Sequence, residues 1–75
     1  MTISEFLEEL RDILQRDTAV SADDVLEDLE EWDSMAIMAC LVWFESRLGI
    51  KHPYKFFQAQ KTVRDLINVG EGKIA

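Results

Sequence analysis

Ser34 is the residue whose type and setting best suit a chemical role. It lies in the run Glu31-Trp32-Asp33-Ser34-Met35, which closes an acidic loop and opens the most hydrophobic stretch of the chain. That position is the expected N-terminus of a buried helix, where free backbone N–H groups and the helix dipole favour an anion such as a phosphate. One serine in that setting, in so small a chain, reads as a covalent loading point rather than as part of an enzyme. It also reads as a plain N-cap, and the two roles are compatible. Ser4, Ser21 and Ser46 lack the Asp-Ser-aliphatic setting.

The other reactive side chains offer less. His52 is the only histidine and stands beside Pro53 with no cysteine or histidine at ligand spacing, so no metal site is expected. Trp-Asp-Ser-Met-Ala is not a G-x-S-x-G elbow, which argues against a Ser34–His52 hydrolase. The acidic loop lacks the D-x-D-x-D-G pattern of a calcium hand. Cys40 is the only cysteine, so no intramolecular disulfide forms, and it reads as a small buried hydrophobe.

The elements that must position Ser34 follow from apolar spacing. Ile3, Phe6, Leu7, Leu10, Ile13 and Leu14 form one helical stripe that ends near Arg16, with Thr2 and Glu5 at capping-box spacing. Asp17 to Asp33 is a long acidic connection, with Val25, Leu26 and Leu29 as apolar pins and room for one short helical turn. A second helix is expected from Ser34 to Leu48, stopped by Gly49. Met38, Leu41, Phe44 or Glu45, and Leu48 mark one of its faces. Ile37, Val42 and Trp43 lie partly elsewhere, so this helix is apolar around most of its circumference. It is central to the core or offers surface to a partner. Pro53 breaks the chain again, and Tyr54, Phe56 and Phe57 anchor a short third helix. Thr62, with Asp65 three residues on, caps a last helix whose apolar face is Val63, Leu66, Ile67 and Val69. Gly70 stops it, and residues 70–75 are expected to fray.

A chain of 75 residues makes one domain, 1–75, with one modest core and little room for a deep substrate pocket. The net charge of −7 is uneven: residues 1–33 carry −10 and residues 34–75 carry +3. An acidic front half disfavours nucleic acid and suits basic partner surfaces. The apolar run Met35–Phe44 is too short to span a membrane, and no charged-then-apolar leader opens the chain, so a reducing cytoplasm is expected.

The order of elements, the Asp33-Ser34-Met35 step, Leu48-Gly49-Ile50 and Thr62-Val63-Arg64-Asp65-Leu66 resemble the acyl carrier protein family, including its peptidyl and D-alanyl carriers. With the first helix, the similarity covers almost the whole chain. It implies an all-α, small four-helix bundle with a short third helix and a long loop between helices one and two. It implies that Ser34 receives 4'-phosphopantetheine from coenzyme A through a phosphopantetheinyl transferase, and that the arm's thiol carries cargo as a thioester. It implies that Asp33 assists the transferase and its metal, and that the helix after the serine is read by partner enzymes: a loading ligase and a downstream condensing or transfer enzyme.

Three departures refine the expectation. Trp32 stands where many members have glycine, which argues against housekeeping fatty-acid synthesis and for a specialised pathway. Met35 replaces the usual leucine, a near-isosteric change. Ala36 and Ala39 occupy positions where acids are common, so recognition through Asp33, Met35, Trp32, Ala36 and Ala39 should be more apolar and less ionic. Packing is the more ordinary use of Trp32, whereas Asp33 reads as a recognition residue ahead of a plain N-cap or a solvated acid. The expected function is a monomeric, non-catalytic acyl or aminoacyl carrier. The alternatives are an unprimed interaction module of the same fold and, more remotely, an unrelated small acidic enzyme subunit.

Overall fold

The computed structural model describes residues 1–75 as four helices and no strands. Helix α1 spans Ile3–Leu14, α2 spans Ser34–Trp43, α3 spans Tyr54–Gln58 and α4 spans Val63–Val69. It is a small bundle of the acyl-carrier type, as the resemblance implies. Helix α1 starts where local chemistry dictates. The Thr2 hydroxyl accepts from Glu5 N at 3.1 Å, and the Glu5 carboxylate accepts from Thr2 N at 2.8 Å. Thr62 and Asp65 repeat the device at α4, the carboxylate accepting from Lys61 N and Thr62 N.

Helix α2 is the central element and packs against both α1 and α3. It continues beyond Trp43 as a wider π-helical turn, Phe44–Leu48, which Gly49 ends in the left-handed region at φ 68°. Its buried face is Ala36, Ile37, Cys40, Trp43 and Phe44, whereas Met38 and Val42 are exposed and Leu41 is half-buried. This differs from the face read off the sequence. When every side of a helix is apolar, periodicity gives no direction, and the neighbouring elements decide which side is covered. Here the aromatic rings decide. Phe44 packs edge to face on Phe6 and Trp43 at 5.9 and 5.1 Å, and lies 5.3 Å from Phe57.

The long connection is held at three points. Leu26 and Leu29 are buried, and a 3₁₀ turn at Leu26–Asp28 lies between them. Val25, expected to pin through its side chain, is instead exposed. It holds through its backbone, in an isolated antiparallel bridge to Thr62. Leu26 N donates to Lys61 O, Val63 N to Asp24 O and Arg64 N to Ala22 O, so the loop is stitched to the start of α4. Val20 is a further buried anchor with no periodic context in the sequence.

The C-terminal residues do not fray in this structure. Ile74 is 3 % exposed and joins the core, Lys73 Nζ donates to Leu48 O, and Ala75 N donates to Met1 O. Gly70 makes this return possible through space rather than through an unusual dihedral. A Cβ there would meet Ile74 Cδ1 at 2.9 Å and Ile67 O at 3.0 Å.

Two outcomes follow. The backbone N–H of Thr2 holds the Glu5 carboxyl below its ordinary value of 4.5, and those of Lys61 and Thr62 hold Asp65 below 3.8. A lowered folded-state pKa contributes stability above the unfolded value and loses it as pH falls through the folded one. The Tm should therefore drop between about pH 5 and about pH 3, and a Glu5→Gln/Asp65→Asn double variant should show a shallower slope over that window. Cys40 is fully buried, which pushes its thiol up to about 12. It should resist iodoacetamide in the native protein at about pH 8 and be alkylated once urea unfolds the chain, as mass spectrometry would read.

Candidate functional site

Asp33, not Ser34, is the N-cap of α2. Its backbone is extended, and its carboxylate accepts from Ala36 N at 2.9 Å. The first intrahelical bond runs from Ile37 N to Asp33 O. Ser34 is thus the first helical residue, and its exposed side chain has no hydrogen-bond partner in the chain. The reading of Ser34 as cap is overturned for a simple reason: the residue before it offers a better placed acceptor. The consequence is chemical, because the serine hydroxyl is left free. The N–H groups of Ser34 and Met35 also lack an acceptor within the chain, as helix geometry requires of a first turn. A phosphodiester on Ser34 Oγ would find two unused donors and the positive end of a helix dipole, so the site fits that group.

The loop before Ser34 is braced from the residues just after α1. Arg16 Nη1 donates to Glu31 Oε1 at 2.8 Å, a pair with both side chains mostly buried. Arg11 in turn holds the backbone there, donating to Arg16 O and Asp17 O at 3.0 and 2.8 Å. Asp33 N then closes a tight turn on Glu31 O at 2.9 Å. Sequence reading missed this brace. Arg16 and Glu31 are fifteen residues apart, and no local pattern couples them.

The other candidate residues are placed as follows. Met35 is 80 % exposed beside Ser34, and Ala39 is exposed one turn further on. Trp32 is half-buried and packs against the core. Ala36 is buried, so it leaves the exposed surface: its N–H serves the Asp33 cap and its methyl faces inward. Two surfaces meet at Met35 and Ala39. On the α1 side lies a hollow with two carboxylates, Glu31 and Asp33. On the α3 side lies an open groove of about 640 Å³ formed by Ser34, Met35, Met38, Ala39, Val42 and Tyr54, with no charged side chain.

The remaining residues are structural. His52 stacks on Phe56, ring centroids 3.8 Å apart. No group of three or more His, Cys, Asp or Glu side chains is arranged to hold a metal ion. No helix is long and apolar enough to cross a membrane.

Two outcomes test the division of labour at the helix start. Asp33→Ala should cost about 1 kcal/mol by loss of the cap, seen as a lower urea midpoint, and Asp33→Asn should stay within a few tenths. If the charge of Asp33 is read by a modifying enzyme, Asp33→Asn should be modified more slowly at unchanged stability.

Comparison with known proteins agrees with this geometry. The family model described as "Phosphopantetheine attachment site" matches residues 4–69, nearly the whole chain. No curated protein sequence and no solved structure matches it.

Proposed function

Because the chain belongs to the acyl carrier protein family of phosphopantetheine attachment domains, we propose that it is a discrete acyl or aminoacyl carrier whose attachment site is Ser34. Domains of this family carry 4'-phosphopantetheine covalently on a serine and are not themselves catalysts. The observation that carries the assignment to Ser34 is the free, exposed hydroxyl at the first position of α2, next to a cap that Asp33 supplies.

In the modification, Ser34 Oγ attacks the pantetheine-bearing phosphorus of coenzyme A. The new Oγ–P bond replaces the phosphoanhydride P–O bond, and adenosine 3',5'-bisphosphate leaves. The hydroxyl proton passes to a base of the transferase, since no side chain of this protein hydrogen-bonds Ser34. When bound, the arm supplies a terminal thiol that holds cargo as a thioester. The protein's own residues present the hydroxyl, Ser34 N–H and Met35 N–H would be free to donate to the phosphodiester, and Asp33, Trp32, Met35 and Ala39 are offered to partner enzymes. Asp33 is read for its charge, and its like charge opposes the helix dipole at the phosphodiester.

The partners under this reading are a phosphopantetheinyl transferase, a loading ligase and a downstream condensing or transfer enzyme. Residues 1–75 act as a single, monomeric carrier domain in the cytoplasm. The exposed helix after Ser34 bears Met35, Met38, Ala39 and Val42 and only Glu45 as an acid, which supports partners that recognise apolar surface. It supports a specialised pathway over housekeeping fatty-acid synthesis.

Incubation with coenzyme A, magnesium and a broad-specificity phosphopantetheinyl transferase should add one phosphopantetheine to the wild type by intact mass. Ser34→Ala should gain nothing while keeping its helical circular dichroism. A folded wild type that gains nothing from several transferases would favour an unprimed interaction module instead, a reading the exposed apolar face of α2 would then serve.

A further inference from the structure

Residues 27–33 lead the chain into Ser34, and they make no backbone hydrogen bond to α1, α3 or α4. Asp28 N, Leu29 N, Trp32 N and Asp33 N donate to Val25 O, Leu26 O, Leu29 O and Glu31 O, all within the loop. Leu29 and Trp32 pack on the core. Asp33 bonds forward, into the helix it caps. Beyond these, one polar contact ties the segment to another part of the chain, from Arg16 Nη1 to Glu31 Oε1 at 2.8 Å.

That contact is fixed at both ends. On one side, Arg11 of α1 donates to Arg16 O and Asp17 O, and Arg16 N donates to Arg11 O. On the other, Glu31 O accepts from Asp33 N at 2.9 Å, and Asp33 caps α2 through Ala36 N. The series runs from the body of α1 to the residue before Ser34. It is held at a cost, because Arg16 Nε is buried with no acceptor. A mostly desolvated ion pair returns little net stability, so its use must lie in the geometry it selects.

We infer that Arg16 is a positioning residue for the loading of Ser34: through Glu31 it holds residues 31–33 in the arrangement that presents the Asp33 carboxylate and the Ser34 hydroxyl together to the transferase. This rests on Ser34 as the attachment point. Arg16 itself bonds neither Asp33 nor Ser34. Without the tie, the segment samples other arrangements. A partner that binds one of several conformers sees its affinity reduced by the population of that conformer. The loss therefore falls on KM for this protein as substrate. It spares kcat, since contacts in the docked complex restore the arrangement.

The experiment compares the wild type with Arg16→Ala, Glu31→Ala and the double variant. Each is confirmed as helical by circular dichroism at the assay temperature. Loading by a broad-specificity phosphopantetheinyl transferase is followed by intact mass. Each single variant should raise KM about tenfold at unchanged kcat. The double variant should be no worse than either single one, because all three lack the same tie. Residue-resolved amide exchange should quicken at Asp33 in all three and stay unchanged at Leu10 and Phe44. Single effects that multiply to about a hundredfold in the double variant would mean that Arg16 and Glu31 each touch the transferase, and would overturn the inference. A wild-type KM in the folded variants, a loss confined to kcat, or unchanged exchange at Asp33 would overturn it as well. Where a single variant does not fold, the double variant leaves no orphan charge and decides by the same KM and exchange readings. No mass gain on the wild type, or a gain on Ser34→Ala, would remove the attachment to Ser34 and the inference with it.

Discussion

Phe44 is the contact on which the other helices depend. Its ring meets Phe6 from α1, Trp43 from its own helix and Phe57 from α3, so three elements converge on one side chain. A chain of this size buries too little surface to hold helices by area alone, and large rings with defined edge-to-face geometry give the most burial per residue. Once Phe44 is inward, Ile37 and Cys40 must follow it inward and Met35, Met38 and Val42 must point out. The outward face at the start of α2 is therefore a consequence of the core, not an independent feature of the site.

That constraint explains why so polar a loop can present so apolar a helix. The acidic residues gather before Ser34, where Asp33 is spent on the cap and Glu31 on Arg16. Beyond Ser34 the surface turns apolar within one residue, at Met35. A partner approaching Ser34 meets negative charge on one flank and methyl and thioether groups on the other. Charge orients the encounter and apolar contact holds it, a combination suited to brief association.

Legibility from sequence followed the range of the interactions. Both capping boxes, the stop at Gly49, the short α3 and the apolar stripes of α1 and α4 were readable, because each is settled within about four residues. Ser34 stood out as the candidate attachment point through its neighbours. The buried face of α2 was not readable, since Met38 and Ile37 look alike in a helix apolar on every side. Ala36 was misplaced with it, and the cap was left open between Ser34 and Asp33, which the carboxylate of Asp33 settles. The brace from Arg16 to Glu31, the bridge from Val25 to Thr62 and the return of Ile74 over Gly70 all pair residues that no local pattern links.

The stitch between the loop and α4 bears on the order in which the chain assembles. The bonds from Leu26, Val63 and Arg64 join residues nearly forty positions apart, and the closure entropy of that long segment must be met before they reward it. Helix α1 and the α2–α3 hairpin can form from contacts closer in sequence. Within the acidic loop, Ala22, Asp24 and Leu26 acquire these long-range backbone partners only when the start of α4 arrives. During synthesis, Ser34 leaves the ribosome well before Thr62 does, so α2 emerges before residues 22–26 of the preceding loop can be joined to the start of α4.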